Sequence, residues 1–281
     1  MLCQKIQRLA RANGQLLEYR VLRKPLAGRT ILVTRPEGPS GPLANGLREL
    51  GARVLRLPVI RFAPPASWAP LDAALRRLAF YDAAVFASAR AVESIFARAL
   101  TLGLSLSPPP KVFAVGPATA RALRRRGWRA VAPRRHRAED LAAVAGRMRG
   151  KRIFLPRAQE GRDILPRLLR AGGARVDVVT AYRTLAERSA ARRLRAAAAS
   201  GRVHAVVFTS GSTVEHLLGQ LPAASRRRLF SRAVAASIGP VTSAALKRRG
   251  PAPVIEAPRA TTASLCAAIA RYFDPGTRDA R

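Results

Sequence analysis

The sequence contains few of the residues that build disulfide scaffolds or metal centres. Its 281 residues include two cysteines, Cys3 and Cys266, and three histidines, His136, His204 and His216. Two cysteines exclude a disulfide scaffold and cannot form a metal site alone. The histidines share no spacing with cysteines or acids that would bind a metal. We therefore predict no metal site, and the scarcity of cysteine favours a reducing, cytoplasmic setting.

Groups and motifs for familiar catalytic chemistry are also scarce. There are only 16 acidic residues, and no pair of them is spaced for acid–base work. No GxSxG, GxGxxG or P-loop motif is present, so neither a serine nucleophile of that type nor nucleotide binding is predicted. No run approaches the roughly 18 apolar residues that span a bilayer. The N-terminal MLCQKIQRLARANGQ lacks the apolar stretch of a secretory signal.

Basic residues, in contrast, are abundant, and the net charge is +35. Only five of the 51 basic residues are lysines, and the arginines are spread along every predicted helix. A GC-rich genome produces this richness in arginine and alanine without selection for binding. Aromatic residues make up 5 %, few for stacking on bases. The charge therefore argues weakly for nucleic acid and is compatible with an anionic small molecule.

The chain repeats itself at an offset of 122 residues. The run GARVLRLPVIRF at Gly51 returns as GARVDVVTAYRT at Gly173, and AVFAS returns as VVFTS. After one inserted residue, Gly116-Pro117 returns as Gly239-Pro240. The abundance of alanine and arginine does not explain matches at glycine, proline and serine. The sequence therefore predicts an internal duplication.

Short apolar runs alternate with helical patterns in both copies, which predicts an α/β fold with parallel sheets covered on both faces. Arg53–Phe62 is predicted as one extended run, and its Pro58 indicates an edge or crossing strand. A further short strand is predicted at Ala130–Val131. His204 begins a predicted strand and aligns with Asp82 of the first copy, which indicates a surface role.

Strand-to-helix turns are the predicted binding sites, because ligands of open α/β sheets lie beyond the carboxyl ends of the strands. Small, hydroxyl-bearing and glycine residues there leave helix N-terminal N–H groups available to an anion. The same hydroxyls make good helix caps, and that purely structural role stays an alternative. The candidate binding residues in these turns are Arg35, Ser88, Gly116, Thr119, Arg157, Gly161, Thr209, Ser210, Gly239 and Thr242. A fourth pair of turns is predicted at 136–139 and 258–262.

Tyr182 is the candidate for proton donation. It lies on the predicted crossing strand, and a tyrosine with a pKa near 10 is protonated at neutral pH. On the residues alone, Tyr182 is better explained as a good strand former than as a catalytic group.

In their order and spacing, several motifs resemble those of the uroporphyrinogen-III synthase family. They are VTRP at Val33, ELGARVLRLPVI, AVFASARAVES, VFAVGPATARAL, GKRIFLPRAQEGRDILPRLLRAGGARVDVVTAYRT, AVVFTSGSTV and SIGPVTSAALKRRG. Each motif alone is weak, but together they cover residues 29–270. The first copy has Ala87 where family members commonly have threonine.

The resemblance implies two flavodoxin-like parallel-sheet domains joined by a two-stranded β-ladder. It implies that the first strand and helix pack with the C-terminal third. Domain 1 is then residues 28–57 plus 186–281, domain 2 is 65–178, and the linker strands are 58–64 and 179–185. Residues 1–27 are predicted to be a helical or disordered extension.

The resemblance also implies an activity: closure of linear hydroxymethylbilane to uroporphyrinogen III, with inversion of ring D through a spiro intermediate and no cofactor. Tyr182 matches the family's tyrosine, a candidate acid for the departing hydroxyl. Ser88, Thr119, Ser210 and Thr242 match its cleft-lining hydroxyls. The family further implies a cytoplasmic monomer that makes a transient contact with the preceding pathway enzyme and has no membrane partner.

Two other interpretations stay open at this point. A degenerate relative could keep the fold and bind anions or tetrapyrroles without catalysis. A nucleic-acid-binding protein would show duplex binding that weakens steeply with salt.

Overall fold

The computed structural model of the chain describes residues 24–36, 41–133, 138–144, 148–249 and 254–274. The chain divides into two compact units. Unit 1 runs up to Val59 and resumes at Glu187, and unit 2 is Ile60–Ala186.

The strands of the described residues, in chain order, are β1 (Thr30–Val33), β2 (Arg53–Arg56), β3 (Ile60–Ala63), β4 (Ala83–Phe86), β5 (Lys111–Ala114), β6 (Arg152–Ala158), β7 (Arg175–Ala186), β8 (Ala205–Phe208), β9 (Val234–Ser237) and β10 (Val254–Glu256). The helices are α1 (Pro42–Glu49), α2 (Ala69–Arg76), α3 (Ala89–Thr101), α4 (Pro117–Arg124), α5 (Ala138–Val144), α6 (Ile164–Ala171), α7 (Ala191–Ser200), α8 (Gly211–Gln220), α9 (Ala223–Phe230), α10 (Pro240–Arg249) and α11 (Thr262–Phe273).

Each unit contains one five-stranded sheet. In unit 1 the order is β10-β9-β8-β1-β2, and every pair of neighbours is parallel. In unit 2 the order is β3-β7-β6-β4-β5. There β4, β5, β6 and β7 are parallel, and β3 alone runs antiparallel, pairing with the last four residues of β7. The predicted α/β class with parallel-dominated sheets is therefore confirmed.

The two sheets share their strand register at an offset of 122 residues. In unit 1, Ile31 of β1 pairs with Val54 on one side and Ala205 on the other. In unit 2, Ile153 of β6 pairs with Val176 and Ala83.

Apolar strands and amphipathic helices bury both faces of the unit 2 sheet. The cluster on one face includes Phe86, Phe154 and Trp128, and the cluster on the other includes Val85, Ile153 and residues of α6. Adjacent β4 residues such as Val85 and Phe86 face opposite sides because side chains alternate along a strand. In unit 1 one cluster joins β1, β8 and β9 to α1 and α11.

Residues 24–27, which the sequence analysis assigned to the extension, belong to the fold. Leu26 is fully buried in the core of unit 1, and its N–H donates to the Leu50 carbonyl. A glycine with positive φ, Gly28, ends this turn, and Gly150 does the same before β6 with nearly the same φ, 73° against 74°. Residues 1–23 lie outside the described residues.

Several element predictions need correction. The run Arg53–Phe62 is two strands, β2 and β3, because residues 57–59 leave the extended ladder around Pro58. The strand at Ala130–Val131 is a single bridge between Val131 and Phe113. Helix α9 and strand β10 were not predicted: α9 is arginine-rich with a single buried residue, and β10 is only three residues long. The turn at 136–139 begins outside the described residues.

His204 is half-buried, and it contacts the start of β1 with both its side chain and its backbone. The Nδ1 of His204 accepts a hydrogen bond from the Thr30 N–H at 3.0 Å, and the backbone N–H of His204 donates to the Thr30 carbonyl. In unit 2 the carboxylate of the aligned Asp82 accepts from the Arg152 N–H, and the backbone N–H of Asp82 donates to the Arg152 carbonyl. His204 and Asp82 therefore hold the starts of two equivalent strands, β1 in unit 1 and β6 in unit 2.

A pH dependence of stability follows from this contact. Burial, and then the charge of Arg29, lower the pKa of His204. The unfolded chain, with a histidine pKa of about 6.5, therefore binds a proton that the folded chain does not. The neutral His204 contributes fully to the unfolding free energy above about pH 6.5. This contribution is lost as the pH falls from about 6.5 towards the lower pKa of His204 in the folded protein.

We expect the unfolding free energy to fall more between about pH 7.5 and 5.5 in the native protein than in His204→Asn, which keeps an acceptor but does not titrate. Urea unfolding at the two pH values measures the difference. Parallel pH dependence in the two proteins would rule out this role for His204.

Candidate functional site

The predicted binding residues lie at one edge of each sheet. Because the strands concerned are parallel within each unit, their carboxyl ends meet at the same edge. In unit 2 this edge carries Ser88, Gly116, Thr119, Arg157, Gly161 and Tyr182. In unit 1 it carries Arg35, Thr209, Ser210, Gly239 and Thr242. Each edge is therefore a set of strand-to-helix turns, as predicted.

A direct contact joins two of the predicted residues in unit 2. The Ser88 Oγ and the Tyr182 hydroxyl lie 3.2 Å apart, within hydrogen-bonding distance. Ser88 is also the N-cap of α3, where its Oγ accepts from the Ala91 N–H at 3.1 Å. Ser88 therefore performs the structural role of a cap and holds the tyrosine hydroxyl with the same oxygen.

Tyr182 is a mostly buried side chain in an environment that keeps it protonated. Burial raises the pKa of Tyr182 above its ordinary value of 10.0, the contact with Ser88 and the charge of Arg90 lower it, and Glu160 and Glu93 raise it. The net effect is upward, so the phenol is a hydrogen-bond or proton donor at neutral pH.

An aromatic and a cationic side chain complete the surroundings of this tyrosine. The Phe62 ring of β3 meets the Tyr182 ring edge to face, with centroids 5.6 Å apart. The Arg90 guanidinium lies 4.9 Å from the centroid of Phe62 and pairs with Glu93 at 3.2 Å. No sequence motif marks these residues, because they lie on separate elements.

Arg157 is bound by its own loop. Its guanidinium donates to the carbonyls of Gly161 and Arg162 and to the Asp163 carboxylate at 2.7 to 3.0 Å. A Cβ added at Gly161 would lie 3.0 Å from both the Ala158 oxygen and the Arg157 Cδ. Arg157 and Gly161 therefore shape the loop after β6.

The turn after β5 lacks a side-chain cap. Gly116 is the N-cap of α4, and Pro117 follows as the first helical residue. Glycine offers no side-chain acceptor to the first N–H groups of the helix, which suits a bound anion. Thr119 is buried in the first turn of the same helix.

In unit 1 the corresponding turns are held by the half-buried hydroxyl of Ser210 and the fully buried hydroxyl of Thr34. Ser210 is the N-cap of α8 and accepts from the Thr213 N–H at 3.3 Å. Thr34, fully buried before Arg35, donates to the Val207 carbonyl at 2.8 Å and ties β1 to β8. Thr209 precedes Ser210 and is half-buried.

The turn after β9 contains a buried pair of serine hydroxyls. The Ser237 and Ser243 hydroxyls are 2.5 Å apart, and the Gly239 carbonyl accepts from the N–H groups of Thr242 and Ser243. Thr242 is buried, like Thr119 in unit 2. Buried hydroxyls of this kind anchor the turn.

Two matched substitutions separate the capping role of serine from its contact with tyrosine. Ser88→Ala and Ser210→Ala each remove a helix cap, so we expect each to cost about 1 kcal/mol of unfolding free energy. Only Ser88→Ala removes the hydroxyl that lowers the pKa of Tyr182, so only this variant should raise that pKa further. Urea unfolding and an NMR titration of ¹³C-labelled tyrosine measure the two effects. An equal tyrosine response in both variants would contradict the contact.

The described residues contain no group of three or more histidine, cysteine or acidic side chains that could hold a metal ion. Among the same residues, no helix is long and apolar enough to span a membrane.

These features define a two-unit α/β protein. Each sheet has strand-to-helix turns at its carboxyl edge that are suited to bind an anion, and the edge of unit 2 also carries a protonated tyrosine. The family model for uroporphyrinogen-III synthase HemD matches residues 41–267. A uroporphyrinogen-III synthase from Synechococcus elongatus is 35 % identical over 231 residues, which are 78 % of this chain and 86 % of that protein. The chain belongs to the uroporphyrinogen-III synthase family.

Solved structures agree with the fold. The structure of a mutant uroporphyrinogen III synthase from Thermus thermophilus superposes with a TM-score of 0.63 at 23 % identity, covering 90 % of this chain and all of that one. A uroporphyrinogen-III synthetase from Helicobacter pylori gives a TM-score of 0.52 at 16 % identity, over 86 % of this chain and 98 % of its own.

Proposed function

We propose that the protein closes linear hydroxymethylbilane to uroporphyrinogen III, the cyclising lyase reaction of its family in haem biosynthesis. The observation that carries this proposal beyond family membership is the contact between Ser88 and the protonated Tyr182 at the carboxyl edge of unit 2. Tyr182 donates a proton to the departing hydroxyl group, which leaves as water, and the far ring attacks the resulting cation through its substituted carbon. The spiro intermediate then fragments and recloses with ring D inverted, and the proton lost from the closing ring restores the tyrosine hydroxyl.

The ligand chemistry fits the turns. The acetate and propionate groups of a tetrapyrrole are carboxylates, which helix N-terminal N–H groups and a net charge of +35 both favour. The substrate-binding assignment comprises Arg35, Ser88, Gly116, Thr119, Arg157, Gly161, Thr209, Ser210, Gly239 and Thr242. The contacts of Arg157 with its own loop favour a shaping role for this residue over direct binding.

We also propose that the two units arose by internal duplication and that β3 and β7 are the linker ladder of the family. The common register of the sheets and the equivalent roles of His204 and Asp82 support the duplication. The antiparallel pairing of Ile60–Ala63 with residues 183–186, next to both points where the chain passes between units, supports the ladder. The cytoplasmic location and a transient contact with the preceding pathway enzyme stay predictions.

The rate of hydroxymethylbilane loss tests the catalytic proposal against the binding alternatives. The folded protein should accelerate loss of freshly supplied substrate in catalytic amount, and heat-denatured protein should not. A binding relative would slow or leave unchanged the spontaneous loss, with an effect that saturates at stoichiometric protein. Tight duplex DNA binding with a steep salt dependence, without acceleration, would favour the nucleic-acid interpretation.

A further inference from the structure

Strand β7 changes the face of its side chains just before Tyr182. Asp177 bonds to Tyr81, a member of the cluster that contains Val179 and Ala181, whereas Val176 belongs to the cluster on the opposite face. Regular alternation would place Tyr182 with Val176, away from α3. The structure instead places Tyr182 in the same cluster as Ala181.

A β-bulge accounts for this change. In the parallel ladder with β6, Arg157 pairs with Thr180 but Ala158 pairs with Tyr182, so Ala181 is an extra residue on β7. An extra residue shifts the alternation by one position and turns the following side chain to the other face. The bulge is therefore the reason that the Tyr182 hydroxyl reaches Ser88.

The ladder beyond the bulge is continued by a side chain. The Gln159 N–H donates to the Tyr182 carbonyl at 3.0 Å. The backbone then turns away from β7, and the Gly161 N–H donates to the Ala158 carbonyl. The Glu160 Oε2 accepts the Thr184 N–H at 3.0 Å, in the place that a backbone carbonyl of a longer β6 would occupy. Two consecutive loop residues, Gln159 and Glu160, therefore hold the backbone of β7 at Tyr182 and at Thr184.

We propose that Glu160 is a positioning residue for Tyr182. By accepting the Thr184 N–H, its carboxylate holds the end of β7 in the register that the bulge sets, with the tyrosine hydroxyl against Ser88. The loop around Arg157 fixes the backbone from which Glu160 reaches β7. This inference rests on the proposed role of Tyr182 for its effect on turnover, but its effect on the tyrosine environment is independent of that role.

Three substitutions at Glu160 separate its hydrogen bond from its charge. Glu160→Ala removes both, Glu160→Asp keeps the charge but falls one methylene short, and Glu160→Gln keeps an acceptor without the charge. Glu93→Gln is the matched control, because Glu93 also raises the pKa of Tyr182 and has no bond to β7 in the structure. We expect kcat to fall about tenfold in Glu160→Ala and Glu160→Asp with KM nearly unchanged, as for a misplaced reacting group.

Glu160→Gln and Glu93→Gln should keep kcat within about threefold of the native value, because positioning is preserved. The NMR signal of ¹³C-labelled Tyr182, assigned by its loss in Tyr182→Phe, should shift strongly in Glu160→Ala and Glu160→Asp. In a Tyr182→Phe background, Glu160→Ala should cause no further loss of kcat.

An unchanged Tyr182 signal and kcat in Glu160→Asp, which retains the charge and most of the volume, would overturn the proposal. A further tenfold loss of kcat when Glu160→Ala is added to Tyr182→Phe would also overturn the proposal. If Tyr182→Phe itself leaves kcat unchanged, the proposed catalytic role of Tyr182 fails, while the signal of Tyr182 still decides the role of Glu160.

Discussion

Replacing Tyr182 by phenylalanine is expected to lower kcat about 10- to 100-fold, at or below the low end of the roughly 100- to 10,000-fold that proton transfer by a positioned side chain contributes. The reaction is intrinsically easy, and the protein mainly positions the substrate, so turnover should persist. The product should remain predominantly isomer III. Single-turnover and steady-state kinetics with fresh hydroxymethylbilane measure the loss.

The matched control for this variant is Tyr81→Phe. Tyr81 is also buried and donates to the Asp177 carboxylate at 2.8 Å, but it precedes β4 and therefore lies at the amino edge of the sheet. Tyr81→Phe should lower stability and leave kcat unchanged. Unchanged turnover and isomer choice in Tyr182→Phe would remove Tyr182 from the mechanism.

The largest expected loss of stability comes from Gly51→Ala. Gly51 follows α1 with φ of +95°, and an added Cβ would lie 2.7 Å from the Lys24 Cβ and 3.2 Å from the Ala27 nitrogen. A strained backbone conformation costs about 1–3 kcal/mol, and overpacking costs a similar amount. We therefore expect a decrease of about 3 kcal/mol in the free energy of unfolding, measured by urea denaturation.

Gly127→Ala provides the comparison that isolates the steric part. Gly127 has φ of +78°, and nothing lies within 4 Å of an added Cβ. This variant should lose only about 1 kcal/mol, from backbone conformation. Equal losses in the two variants would show that residues 24–27 do not pack on Gly51, contrary to their place in the core.

Much of the fold could be predicted from the sequence because its elements have strong local signals. Short apolar runs mark the buried strands Ala83–Phe86 and Ala205–Phe208, and helical spacing of apolar residues marks helix Ile164–Ala171. Helix α9 could not be predicted because its exposed arginines give a weak apolar pattern. The inclusion of Leu26 in the core could not be predicted either, since the matched repeat began only at Arg29.

The candidate site was predictable only as a set of turns. Glycine and hydroxyl residues after apolar strands mark those turns, so Ser88 and Ser210 were found as caps. The contact of Ser88 with Tyr182 depends on a β-bulge, in which one residue of β7 has no partner on β6. The bulge leaves no mark in the sequence of β7, so it could not be predicted. For the same reason Glu160 had no signal in the sequence: its partner, the Thr184 N–H, is a backbone group 24 residues away.

The measurement that tests the central claim most directly is the isomer composition of the product. Fresh hydroxymethylbilane is incubated with and without the folded protein, and the porphyrinogens are oxidised and separated by chromatography. We predict predominantly isomer III with the protein and isomer I without it, because unassisted closure does not invert ring D. Isomer I alone, formed at the rate seen without protein, would contradict the assignment of a synthase activity.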